Sequence, residues 1–367
     1  MSVTCVENRL LELLWFVGYC IEFPTMLATR IDGHEDWNRH VMYRAIREGY
    51  VTLYRKQVNR HVLRSLSITE KGLEYVAERD PEALALILAR RSQSPQIYPS
   101  RVDKIQRLHA LAIGLVMAYQ AGAEIRADRK PSLRISPDTR QQVEPNHAYY
   151  YTASEIRSAI TEYAPKTVLK SSRIIGVLTQ GKRFYCLYYT GRTRMYWART
   201  QEENHVAGIQ TLLTSRGFPE MTPSQVVIGT SMPVVKRIAK SENGYQRSHY
   251  FVVSGFFSKC FFLTNNAEGD RLLRLIIDPS LRLPFEKRLL EGYCQPHHPT
   301  REYDAIEGAT LRPVKLAYTC DLRRLTSNML QPLDNPRKPI LLCMDYQTQV
   351  LQELVGGDAE IRPINGG

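Results

Sequence analysis

The chain has 367 residues, 43% of them hydrophobic and 23% charged, and a net charge of +12. This composition is that of folded globular domains and excludes collagenous, low-complexity and disulfide-scaffold classes. The length suggests two or three domains, and the excess of Lys and Arg points to a polyanion such as DNA, RNA or an anionic membrane surface. No run of about 18 uncharged apolar residues occurs, so no membrane span is expected. Glu7, Arg9 and Glu12 interrupt the apolar start, so no signal peptide is read there. The seven cysteines are odd in number and never spaced C-x-x-C, which fits a cytoplasmic protein without a disulfide framework.

In chain order, helical periodicity covers 7–17, where Leu10, Leu14 and Val17 share a face. A short second helix is expected over 24–31 with Pro24 in its first turn. Asp36 is the expected N-cap of a third helix, about 37–48, which Gly49 ends. Residues 50–55 and 62–68 alternate as two strands around a turn, KQVNRH, and Thr69 caps a fourth helix. Residues 81–91 continue as helix.

Three short helices, a hairpin and a fourth helix are the order of a winged helix-turn-helix. In that motif the third helix enters the major groove and the wing lies along the phosphates. Residues 36–64 hold seven Lys or Arg against two acids, whereas residues 1–80 as a whole are neutral, so the charge is gathered where DNA would lie. On the third helix Val41, Ala45 and Ile46 are expected in the core. Asn38, Arg39, Tyr43, Arg44 and Arg47 are expected to face outward, Arg and Asn being the side chains that pair with guanine and adenine edges. Arg55, Lys56 and Arg60 of the wing suit phosphate contacts. The competing readings are a solvated helix face and a protein-binding winged helix.

SQSPQIYPS, 92–100, reads as a linker, followed by a long helix, 101–122, that could pack on the next domain or on a second copy. His109 on this helix reads as a packed residue. Residues 123–148 form a loop region basic at Arg126, Arg129, Lys130 and Arg134. The divisions expected are therefore 1–91, 92–148 and 149–367. In the last, 152–163 reads as a helix capped by Thr152 or Ser154. RIIGVL, RFYCLYYT and RMYWAR read as three strands, with 202–217 a helix, QVVIGTS a strand and PVVKRIAKS a short helix. YFVVSGFFSKCFFLT gives one or two strands, GDRLLRLII a strand or short helix, PILLCMD a strand and YQTQVLQELV a helix. The fold class expected is α+β, with a C-terminal mixed α/β domain for which a catalytically degenerate nuclease-like core is one form.

Residues 166–200 carry eight Lys or Arg and no acid, with six aromatic residues. Lys182, Arg183, Arg192, Arg194 and Arg199 are therefore candidates for a second basic patch, while most of the rings are expected to fill a sheet core.

Signs of chemistry are few. Helix, three strands, helix is an order shared with metal-dependent nucleases, but these strands hold no carboxylate for Mg²⁺, and Glu155, Asp278 and Asp345 are scattered. H-x-x-R within RHVLR lies on the wing and reads as coincidence. No H-x-H of a relaxase occurs, and Cys294, His297 and His298 make too few ligands for zinc. Neither G-x-x-x-x-G-K nor G-x-S-x-G is present, so no catalytic residue, metal or cofactor is assigned.

WNRHVMYRAIREGYV with SLSITEKGLEYV, and YYYTASEIRSAI before SRIIGVL, resemble the replication-relaxation family of bacterial plasmids and integrative conjugative elements. The resemblance implies sequence-specific binding of double-stranded DNA in plasmid replication, conjugative DNA processing or transcriptional control. A homodimer and a relaxase or replication partner are expected, with no membrane role. The alternatives are a DNA endonuclease or nickase, its carboxylates drawn from distant segments, and a winged-helix protein–protein adaptor.

Overall fold

The computed structural model comprises two compact units, Met1–Pro131 and Ser132–Gly367. Described residues are 3–31, 34–58, 61–92, 102–134, 143–144, 146–161, 172–192, 195–239, 253, 255–296, 302–325, 330 and 335–364. The fold is mixed α and β. No helix among the described residues is long and apolar enough to cross a membrane.

The first unit is built on α1 (Val3–Cys20), longer at both ends than the periodicity predicted. From Leu13 to Val17 every side chain is buried, because α1 has helices on several sides at once. Then come β1 (Phe23–Pro24), α2 (Thr25–Ala28), α3 (Glu35–Arg47), β2 (Val51–Val58), β3 (His61–Ile68), α4 (Glu70–Arg79), α5 (Pro81–Ser92) and α6 (Val102–Gln120). Pro24 is not in the first turn of α2. It caps the helix from β1, where its missing N–H costs no ladder bond at a sheet edge. Asp36 likewise lies inside the first turn of α3, whose N-cap is His34. Gly49, at φ +78°, ends α3 as expected, with its N–H on the Ile46 carbonyl and that of Tyr50 on Ala45. Thr69 Oγ1 caps α4 by accepting from the Gly72 N–H at 3.1 Å.

The sheet runs β1-β3-β2, all antiparallel. One face of its hairpin starts with Val51 and Ile68 in the core. The opposite face of β3 carries a polar knot: Ser65 and Ser67 Oγ donate to the two oxygens of Glu22, and His109 Nε2 on α6 lies 3.0 Å from Ser65 Oγ. The single Ser65 proton is committed to Glu22, which leaves Ser65 Oγ to accept from His109 Nε2–H. The long helix α6 thus packs on α1, α2 and β1 of its own unit. Its buried row, including Ile105, Leu108 and Ala112, is consumed there. The loop after α6 is less basic than it reads, because Arg126 bonds Asp80 at 2.6 Å and Asp128 at 3.0 Å, and Lys130 is buried on the Ile125 carbonyl. The linker 93–100 lies outside the described residues.

The described residues of the second unit form two sheets. One runs β4 (Tyr149–Thr152), β5 (Ile174–Gln180), β6 (Arg183–Gly191), β7 (Thr222–Gly229) and β8 (Cys260–Thr264) in chain order. The first three are antiparallel and the last two parallel, the crossovers carrying α8 (Arg199–Ser215) and α9 (Val234–Ala239), while α7 (Ala153–Thr161) joins β4 to β5. Among the described residues helix α7 is followed by strands β5 and β6 and then by helix α8. The described residues 195–198 of RMYWAR form no strand of this sheet: β7 takes the free edge of β6, and Met195 and Trp197 are buried as the chain crosses to α8. After α10 (Ala267–Ile277) and α11 (Pro279–Leu289), the second sheet runs β12 (Glu360–Ile364), β11 (Ile340–Met344), β10 (Arg312–Leu316), β9 (Ala305–Glu307), with α12 (Leu322–Leu325) after β10 and α13 (Thr348–Val355) between β11 and β12. GDRLLRLII is therefore helical. Asn266 caps α10, and Gly269 has no room for a Cβ, which would fall 1.7 Å from the Thr264 carbonyl oxygen.

Burial holds His109 down to a pKa of about 4, against 6.5 for the free side chain. A depressed histidine withholds a proton that the unfolded chain accepts, so its contribution is complete above pH 6.5 and is lost as pH falls toward 4. Across that window the first unit should lose about 3 kcal/mol of stability. Hydrogen exchange of α6 peptides, corrected for intrinsic rates, should show the loss, and His109→Gln should flatten it. A wild-type profile unchanged between pH 7 and 4.5 would remove this role.

Candidate nucleic-acid interface

On α3 the buried row is Asn38, Val41, Met42 and Ala45, one helical face. Asn38, expected outward, is 5% exposed, and its Nδ2 donates to the Thr29 carbonyl at 3.2 Å. The four-residue α2 leaves its terminal carbonyls without helical partners, and Asn38 serves one of them. Arg39 faces solvent but is held by Glu35 at 2.7 Å and Asp36 at 3.0 Å. Arg44 is half-buried, with Nε on Glu48 Oε1 at 2.8 Å, and that bond holds its guanidinium above the ordinary arginine range. Arg47 is 79% exposed, 3.9 Å from Glu48, and Tyr43 is 59% exposed. His40, which the sequence reading left out, is also exposed. Arg47, Tyr43 and His40 are thus the side chains of α3 that project freely.

The hairpin is longer than predicted, so Lys56 lies within β2 rather than in the turn. Arg60 lies outside the described residues. The register sets Val51 opposite Ile68, Leu53 opposite Leu66 and Arg55 opposite Arg64. Directly opposed residues share a face, so the core-facing side of the hairpin runs outward into two exposed guanidinium groups. Neither forms an ion pair among the described residues, and like charges in this position destabilise a sheet. Arg64 was counted among the basic residues but not singled out. Its signal was register, which becomes readable only when the turn is placed correctly.

Among the described residues the second basic region does not form one patch. Lys182 and Arg183 lie at one end of β6 and Arg192 just beyond the other. Arg183 and Arg192 are nine positions apart, about 30 Å along a strand, roughly three times a Debye length of about 8–10 Å. Arg199 is paired with Glu203 at 2.9 Å, and Arg194 lies outside the described residues. Phe184, Tyr185, Tyr188 and Trp197 are buried in the sheet core, as expected for aromatic strand residues.

The carboxylates considered for a nuclease have other partners or lie apart. Glu155 Oε2 accepts from the Thr152 N–H at 2.7 Å, and the Thr152 hydroxyl oxygen accepts from the Glu155 N–H at 3.3 Å, a capping box on α7. Asp278 caps α11 through the Ser280 N–H at 2.9 Å. No cluster of three His, Cys, Asp or Glu that could hold a metal occurs among the described residues, and His297 and His298 lie outside them. Glu202 was missed by sequence reading. It is 1% exposed and pushed up to about 7 by burial, against the bonds it accepts from the Arg173 N–H at 2.6 Å and Ser172 Oγ at 3.1 Å.

No protein-family model, no curated protein and no solved structure matches the chain.

If Glu155 and Thr152 act as a cap, Thr152→Ala should cost about 1 kcal/mol of stability in chemical denaturation and Thr152→Ser only a few tenths. Equal loss in both variants would refute the cap.

Proposed function

We propose that the first unit is a winged helix that binds double-stranded DNA with sequence preference, α3 entering the major groove and the β2–β3 hairpin lying along the phosphates. The observation that carries the reading is the Arg55–Arg64 pair. Two unneutralised guanidinium groups facing each other across a hairpin are a local cost that an anion removes. The projecting side chains of α3 support it: Arg47 has the donor fork suited to guanine. The α1-β1-α2-α3-β2-β3 order, with β1 added to the hairpin, fits the same motif. In this reading Arg39 and Arg44 exchange carboxylates for phosphates. Such exchange is inexpensive for exposed pairs and less so for the half-buried Arg44.

The setting we infer is that of a mobile genetic element, where the protein acts in replication, conjugative transfer or transcription. It would bind as a homodimer on paired half-sites and work beside a relaxase or replication protein. The supporting facts are the charge placement and the resemblance in the α3 and β3–α4 segments.

The test is titration of the full chain with the duplex upstream of its own coding sequence and with a scrambled duplex, across salt and with Mg²⁺. A preferred site, a steep salt slope and intact DNA are expected. Nicked DNA would support an endonuclease instead, and no binding at low salt a protein adaptor. Arg47→Ala should cost about 1–3 kcal/mol and relax the preference. Arg55→Thr should weaken all sequences alike and reduce the salt slope by about one, while raising the stability of the free protein by a few tenths of a kcal/mol. A purely structural role would move stability the other way.

A further inference from the structure

A cavity of about 670 Å³ opens in the second unit between α10, α11 and the end of β11. That is the size of a small-ligand site, and the carboxyl end of a parallel strand is where open α/β sheets place one. Its walls follow from helical spacing. Glu268, Arg271, Leu272 and Leu275 form one face of α10, and Leu281, Phe285 and Arg288 one face of α11. Met344, Asp345 and Tyr346 close the end. Arg271, Arg274 and Arg288 are exposed, and none forms an ion pair among the described residues. Tyr346 is 38% exposed, and the Arg288 guanidinium lies 6.0 Å from the centre of the Phe285 ring.

Helix α11 has no buried residue, although its sequence, PSLRLPFEKRL, is half apolar. Its described attachments include the Asp278 cap, Arg282 on the Ile276 carbonyl at 3.0 Å, and Phe285 and Glu286 on Tyr318. Leu281 and Leu283 remain 41% and 59% exposed. Leu281, Phe285 and Arg288 thus wall the cavity, while Leu283 projects from another side of the helix.

We propose that this groove binds a nucleotide, its phosphate on Arg271 and Arg274 and its base against Tyr346 and Phe285. Three guanidinium groups favour an acceptor-rich anion, and phosphate matches their fork in two bonds. The rings and leucines require a flat apolar surface, which every base supplies. The two carboxylates, Glu268 and Asp345, choose between candidates. They repel an acidic peptide helix, but they can accept from the amino edge of a base or a sugar hydroxyl. The nucleotide comes either free or as an unpaired residue of a nucleic-acid strand. This site is independent of the duplex-binding reading of the first unit.

The experiment uses the full chain at low salt, with two probes: deoxyadenosine monophosphate by ligand-observed NMR, and a fluorescein-labelled mixed 12-nucleotide single strand by anisotropy. Binding of the strand alone identifies an unpaired nucleotide, and binding of the monophosphate a free one. The Arg271→Ala/Arg274→Ala double variant should weaken whichever binds by roughly tenfold or more. Tyr346→Ala should weaken it about fivefold to a hundredfold, with Tyr346→Phe near wild type. All three residues are exposed, and circular dichroism checks the fold. The Arg55→Ala/Arg64→Ala variant should lose duplex affinity and keep the groove ligand, so the two readings fail separately. Photo-crosslinking of an iodouracil strand should label Tyr346 or Phe285 if the strand is the ligand. Binding of neither probe, or unchanged affinity in the groove variants, overturns the proposal.

Discussion

The register of the β2–β3 hairpin is the constraint on which the first unit depends. A slip of one residue would carry Val51, Leu53, Leu66 and Ile68 to the opposite face. Two independent contacts oppose it. Leu66 is fully buried against the helices, and one residue to either side Ser65 and Ser67 reach Glu22. The alternation Ser-Leu-Ser on β3 therefore reads both faces at once, apolar on one and hydrogen-bonded on the other. Ile21, at φ +70°, turns the chain so that Glu22 arrives beside the serines, and β1 follows immediately to pair with β3. The opposition of Arg55 and Arg64 is a consequence of the same register. No other pairing consistent with the buried face brings those two charges together.

Charge in this protein is distributed by partnership rather than by composition. Arg39, Arg44, Arg126 and Arg199 each lie within hydrogen-bond distance of a carboxylate on the same or an adjacent element. An i,i+4 pair of this kind contributes only a few tenths of a kcal/mol at the surface, so it neutralises a field more than it stabilises a helix. Set apart from these are Arg47, Arg55 and Arg64 of the β2–β3 hairpin, and the three arginines of the α10–α11 groove. The eight basic residues of 166–200 looked like a larger signal and are a smaller one, because a β-meander sends successive charges to opposite ends of its strands.

What could be read in the sequence was whatever depends on neighbours in the chain. Gly49 and Thr69 ended and started helices by local rules, as did Thr152, and the buried fate of most rings on β6 followed from strand composition. Asn38 was misplaced because residue type was weighed above position: 38, 41, 42 and 45 are one helical face whatever their polarity. RMYWAR alternates like a strand, but a strand also needs an unoccupied partner edge, and that depends on β7, more than twenty residues later. Helix α11 and strands β9, β10 and β12 were not anticipated. The strands are three to five residues long and owe their state to ladder partners, while α11 has a proline inside it and no buried face to create a period. The groove was invisible for the same reason, since its walls come from segments about seventy residues apart.

The two proposed sites differ in the physics of what they would hold. The wing presents arginines on a narrow ribbon with no cavity, a geometry that reads a backbone and tolerates any base. The groove adds enclosure, apolar surface and two carboxylates to its arginines, and so suits a single nucleotide out of the stack. Duplex DNA hides its base faces, so one ligand could not satisfy both sites without being partly unpaired. A protein with both would hold a duplex at one unit and a released nucleotide or strand at the other. Net charge does not make this distinction, because it attracts any polyanion and chooses none.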